Sequence, residues 1–130
     1  MTATPDRSSM DQLLQQFYAA RTGGRLKDLC AMFAPEAHFR ICGSSDGKPI
    51  GVVARGSIEI RSWLGVMVKT FRLTHFEVLS MVIDGAGAAV HWRADIESRV
   101  TGVSVPTELV DLVRARDGLI ASYREFFVPI

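Results

Sequence analysis

"DLVRARDGLIASYREFF", residues 111–127, is the stretch that decides how this chain folds. Asp117-Gly118 is a tight-turn signal between two runs rich in β-branched and aromatic residues, so the stretch reads as a β-hairpin. On its first strand Asp111, Val113 and Ala115 alternate onto one face, while Leu112, Arg114 and Arg116 take the other. On its second strand Tyr123, Glu125 and Phe127 share a face. An aspartate and a glutamate therefore each sit among apolar residues. A carboxylate in such a place is paired, neutral, or close to water and a ligand.

The same signature recurs upstream. Residues 72–83, 88–100, 103–116 and 119–128 are strand-like runs separated by Asp84-Gly85, Thr101-Gly102 and Asp117-Gly118, which predicts a four-strand antiparallel meander. Ahead of it the period changes. Met10, Leu13, Leu14, Phe17 and Tyr18 step at three and four residues, the stripe of an amphipathic helix capped by Ser8 or Ser9 and ended by Gly23-Gly24. A shorter helix follows, with Leu26, Leu29, Cys30 and Phe33 on one side and Pro35 close behind. Ala37 to Cys42 reads as a short strand and Gly43–Pro49 as a loop. "DGKPIG" (46–51) is a surface turn without the glycine spacing of a phosphate loop. Helical spacing returns from Gly56 to about Thr70 through Ile60, Trp63, Leu64, Met67 and Val68.

Helices first and a long meander after is an α+β plan. Strands of roughly 12–14 residues, against a usual mean near 5–6, can curl around the helices in a strongly twisted sheet and leave a cavity for a ligand.

Composition bounds the function. With 130 residues, 48% of them hydrophobic and 22% charged, the chain has a core and is not disordered. A formal net charge of +1 gives no general footprint for nucleic acid or an acidic membrane surface. No apolar run approaches the length of a spanning helix. Met1–Ser9 reads as a loose polar tail and residues 10–130 as one domain. That tail lacks the apolar stretch of a secretory signal, so a cytoplasmic location is expected. Cys30 and Cys42 lack redox or zinc spacing and are expected to be buried reduced thiols. His38, His75 and His91 are scattered, and no metal site is suggested.

Four stretches resemble the nuclear transport factor 2-like superfamily, in particular its SnoaL-like branch. "LLQQFYAARTGGRLKDLCAMFAPEAHF" (13–39) is similar to the first two helices and the strand entry, and "RGSIEIRSWL" (55–64) to the start of the third helix. "VHWRADIESRVTG" (90–102) and the hairpin at 111–127 are similar to the last three strands. The resemblance implies a cone: a curved antiparallel sheet wrapped around three N-terminal helices, commonly dimeric through the outer sheet face. It does not settle the chemistry, because this cone hosts isomerases, cyclases, dehydratases, epoxide hydrolases and non-catalytic binders.

Two members guide the choice of candidate residues. Ketosteroid isomerase needs a base, a tyrosine donor on the first helix and a protonated aspartate; Asp111 matches the aspartate's place. Phe17 stands where the tyrosine is expected, with Tyr18 beside it, and the base position falls near the apolar Ile41. Steroid-type isomerisation is therefore not implied. Limonene-epoxide hydrolase places an arginine and an aspartate two apart on a middle strand, with an acid on the last strand. Arg93, Asp95 and Glu125 fit those places, while Phe39 and Ile41 fall where the water-holding residues would be. Alternation offers a different reading of Arg93 and Asp95. Val90, Trp92, Ala94 and Ile96 form the apolar face of their strand, which would turn Arg93 and Asp95 outward unless a β-bulge reverses the register.

The catalytic candidates are thus Asp111, Glu125, Arg93 and Asp95. The ligand-contacting candidates are Tyr18, His38, Arg40, Trp63, Met67, Trp92, Tyr123 and Phe127, with His38 and Arg40 expected at the cavity mouth. The expected function is binding of a small hydrophobic molecule, with acid–base catalysis (isomerisation, cyclisation or hydration) and no cofactor. The alternative is a non-catalytic ligand-binding or assembly domain. The expected partners are the small molecule and a second copy of the chain.

Overall fold

The computed structural model describes residues 7–45 and 47–130. Two helices come first, α1 (Arg7–Thr22) and α2 (Leu26–Ala31), then strands β1 (Phe33–Ser45) and β2 (Lys48–Arg55) and helix α3 (Gly56–Thr70). The meander follows as β3 (Phe71–Asp84), β4 (Gly87–Ser98), β5 (Ser104–Arg116) and β6 (Leu119–Pro129). The α+β plan holds. α1 starts earlier than its apolar stripe, so Arg7, Ser8 and Ser9 form its first turn; the first six residues of the expected tail lie outside the described residues.

Sequence reasoning missed β2. Residues 48–55 contain Pro49 and Gly51, and all but Val52 and Ala54 are exposed, the features of an edge strand with one partner. β1 is correspondingly longer than its apolar core, and the expected loop at 43–49 is mostly strand. Asp46 lies outside the described residues.

The six strands form one open curved sheet in the order β2-β1-β6-β5-β4-β3. Every pairing is antiparallel except β1 with β6, which is parallel and joins the early hairpin to the late meander. The concave face carries Phe39, Ile41, Val90, Trp92, Ala94, Leu109, Val113, Ile120 and Tyr123, all buried against Met10, Leu14, Phe17 and Tyr18 of α1 and Ile60 and Leu64 of α3. The strand alternation read from the sequence therefore orients the sheet correctly. Register shifts lie in β3, at Thr74/Glu77 and Val78/Ser80, and in the β5–β6 hairpin at Arg114/Ala115. β4 pairs with β5 without a break from Gly87 to Glu97. Such bulges bend a strand and increase its twist, as closure around helices requires.

The end of α1 is built with care. The Arg25 amide donates to the Ala20 carbonyl at 2.9 Å and the Gly24 amide to Arg21 at 3.2 Å, with Gly24 at φ 66°. This double bond around a left-handed glycine is a Schellman stop. It ends the helix just after Arg21. Cys30 and Cys42 are free and only half-buried, less deep than expected.

Candidate functional site

Between the concave sheet and the helices lies a cavity of about 630 Å³. Its wall is mostly apolar, with Trp63, Leu64 and Met67 of α3 facing Ile41, Leu109 and Phe127 of the sheet. Among its polar lining residues, Arg21 from α1 and Tyr123 and Glu125 from β6 meet one another.

Those three are part of a larger network. Arg21 forms an ion pair with Glu125 through Nη1, with the two side chains only 9% and 4% exposed. The same nitrogen donates to the Tyr123 hydroxyl at 2.7 Å, and the guanidinium lies 5.1 Å from the centre of the Trp92 ring. The Tyr123 hydroxyl stands 2.8 Å from Asp111 Oδ2 and 3.1 Å from Glu125 Oε1. Its single proton serves one carboxylate at a time. Asp111 Oδ2 also accepts from the Tyr18 hydroxyl at 2.5 Å and from the Trp92 indole N–H at 2.7 Å.

Local sequence explains this convergence. Asp111 and Glu125 are direct cross-strand partners on the inner face of the hairpin, so their carboxyls are neighbours. Tyr18 and Arg21 are three residues apart on α1 and so share its face.

The electrostatics follow. Two carboxylates face one guanidinium, which leaves one negative charge or one extra proton. Burial pushes Asp111 up to about 7, helped by the Glu125 charge and opposed by Arg21 and the two tyrosine donors. Burial alone would lower the Arg21 pKa, but Glu125 and Tyr123 outweigh it and hold the guanidinium well above its usual value. Burial, then the Asp111 charge, raises the Tyr18 hydroxyl, so it is a proton donor at neutral pH and not a base. Burial raises Tyr123 as well. Asp111 Oδ1 is buried without a hydrogen-bond partner.

The structure brings together Tyr18, Trp92, Asp111, Tyr123 and Glu125 from the sequence-derived set. Trp63, Met67 and Phe127 line the cavity beside them. Four others are elsewhere. Arg93 is exposed on the outer face, bonded to Glu77 at 2.7 Å, and Asp95 bonds His75 at 2.9 Å. The regular β4–β5 register leaves no bulge to turn them inward. His38 and Arg40 also point outward, because Phe39 and Ile41 occupy the inner face of β1. These four are not cavity residues. Arg21 was missed: it follows Phe17 and Tyr18 by one helical turn, a spacing that alone does not separate a buried cation from a solvated one near a helix end.

Among the described residues no group of side chains could hold a metal ion, and no helix is long and apolar enough to cross a membrane. The family model for the SnoaL-like domain matches residues 14–123, most of the chain. The chain belongs to the SnoaL-like domain family. Solved structures place this SnoaL-like fold among diverse relatives. A candidate isomerase from Bacillus subtilis is 18% identical with a TM-score of 0.78, covering 92% of this chain and 86% of its own. An epoxide hydrolase of the limonene-epoxide hydrolase type from M. tuberculosis is 15% identical with a TM-score of 0.74, covering 95% and 85%. A ketosteroid isomerase-like protein from Catenulispora acidiphila, in complex with trimethylamine, is 17% identical with a TM-score of 0.71, covering 95% and 85%. At these identities the likeness shows the fold alone. No functionally curated protein sequence matches this SnoaL-like chain significantly.

Proposed function

We propose that residues 10–130 act as one SnoaL-like domain whose cavity binds a small, mainly apolar molecule bearing a single polar group, and that Glu125 carries out proton transfer on it. The observation that supports this most is the Arg21–Glu125 pair, with Tyr123, in a cavity whose wall is mostly apolar. Arg21 holds Glu125 as a carboxylate, able to take a proton from a ligand carbon or from water. As Glu125 is neutralised, the guanidinium loses its counter-charge and turns to the ligand oxygen on which negative charge develops. Returning the proton to another carbon gives isomerisation; delivering water to an epoxide gives hydration. Asp111, outside the cavity lining, acts through Tyr123 as a positioning residue. Isomerase-like and epoxide hydrolase-like neighbours, and the trimethylamine complex of another, fit a small-molecule site of this kind.

The test uses Trp63, a wall residue, as a fluorescence probe during titration with a terpene epoxide and a β,γ-unsaturated ketone. The expected result is saturable quenching, lost in Trp63→Phe, with turnover of one probe abolished by Glu125→Gln while binding persists. Turnover unchanged in Glu125→Gln would overturn the proton-transfer role. A non-catalytic binder is the second reading, favoured by the near-complete burial of two mutually neutralising charges; binding without turnover in the wild type identifies it.

We also propose a homodimer through the outer sheet face, where Val110, Phe126 and Val128 are exposed near the His91–Glu108 and Arg93–Glu77 pairs. Light scattering that gives a monomer at micromolar concentration removes it.

A further inference from the structure

His38 and Arg40, turned out of the cavity, take part in a second site. The outer face of β2, β1 and β6 holds a pocket of about 260 Å³, lined among others by His38, Arg40, Val53, Arg55, Ser122 and Arg124. Strand register brings these residues together. His38 is the cross-strand partner of both Arg55 and Ser122, and Arg40 of both Val53 and Arg124. Arg114, partner of Ser122, adds another cation beside the pocket.

Among the described residues, no carboxylate lines it. Among the described residues, Arg40, Arg55, Arg114 and Arg124 form none of the ion pairs. The nearby acids are engaged otherwise: Glu59 accepts from the Arg55 backbone amide, and Glu36 pairs with Arg116. Guanidinium groups stay charged at any physiological pH, and like charges on facing strands repel. Among the described residues, no ion pair supplies this concentration of cations with a counter-charge. An anion supplies it, and the arginine fork and serine hydroxyl match the oxygens of a phosphate group.

We propose that this outer pocket binds a small phosphate monoester, its phosphate held by Arg40, Arg55 and Arg124 and oriented by His38 and Ser122. A free metabolite fits better than nucleic acid. The cations surround a pocket and do not form a stripe, and among the described residues no exposed aromatic ring lines it for base stacking. The site lies on the opposite face of the sheet from the cavity, so it does not depend on the function proposed there.

The test is a titration with inorganic phosphate, glucose 6-phosphate and a short single-stranded oligonucleotide, against sodium chloride at matched ionic strength. Thermal shift and NMR amide shifts are the readouts. The expected result is saturable binding of both small phosphates with amide shifts confined to β1, β2 and β6. Affinity should fall at least tenfold in Arg40→Gln/Arg124→Gln and stay unchanged in the cavity-side Arg72→Gln. Since removing like charges leaves folding intact, the unliganded melting point of the double variant serves as the control; if that variant fails to fold, Arg55→Gln alone must still lower the affinity. A phosphate effect no larger than that of chloride, or full binding in the double variant, overturns the proposal. So does an oligonucleotide that binds more tightly than either small phosphate.

Discussion

Replacing Arg21 by methionine should be the most damaging single change to the cavity side of the protein. The substitution keeps the apolar stem and removes the cation that balances Glu125 and Asp111, both buried. Breaking a buried pair from one side costs about 3–5 kcal/mol, because the remaining charge stays desolvated. With a urea dependence of about 1.5 kcal/mol per molar, a loss near 4 kcal/mol lowers the unfolding midpoint by roughly 2–3 M. Glu125→Gln should cost less, because Asp111 still places a negative charge near the guanidinium. The two variants also move Asp111 in opposite directions. Without Arg21 its pKa rises above about 7; without Glu125, the second cause of its elevation, it falls. Urea melts of both variants, with carbon-detected NMR of the Asp111 carboxyl, read out stability and titration together. An Arg21→Met variant that loses less than about 1 kcal/mol, or less than Glu125→Gln, refutes the idea of a charge network balanced by one guanidinium.

Asp111 also predicts a pH dependence. Its folded pKa of about 7 exceeds its ordinary value of 3.8, so the folded state binds the proton more tightly. Its favourable contribution is complete below about pH 4 and is lost as pH rises through 7, up to about 4 kcal/mol in all. Asp111→Asn should flatten that slope in urea melts between pH 4.5 and 7.5; an unchanged slope rules the assignment out. At Gly43 an added Cβ would stand 2.5 Å from Phe127 Cζ. Gly43→Val should therefore cost about 1–3 kcal/mol by overpacking and push the Phe127 ring into the cavity, weakening ligand quenching of Trp63. His75 sits at φ 54°, beside the bulge in β3. His75→Gly should be neutral to stabilising by up to about 1 kcal/mol, since the relieved strain outweighs an exposed bond to Asp95; a clear loss in melting temperature contradicts that.

Much of the fold was legible because the period of the apolar residues is strong. The α1 stripe, the α3 stripe and the turn glycines mark their elements, and the alternation in β4 correctly sent Arg93 and Asp95 outward. β2 was not legible, because an exposed edge strand needs neither alternation nor branched residues, and Pro49 and Gly51 disguise it as a loop. The two buried acids could be found from Asp111 and Glu125 standing among apolar neighbours. Arg21 could not be weighed the same way, since a helix near its end often carries a solvated cation and only the tertiary fold shows this one buried. His38 and Arg40 were misplaced because their place on the early strand put them at a mouth, whereas the apolar Phe39 and Ile41 already implied the other face.

The parallel ladder between β1 and β6 has a consequence for how the molecule assembles. It ties residues 38–43 to residues 122–127, so its closure spans most of the sequence. The first hairpin has no inner neighbour until the final strand arrives, and that strand also brings Tyr123 and Glu125. Loop-closure entropy over such a distance is lost before the contacts reward it, which makes folding slow for the chain's size. Until then β1 presents an unpaired edge backed by Phe39 and Ile41. Chains caught at that stage can borrow β6 from another copy, and domain-swapped dimers formed during refolding at high concentration are the expected by-product.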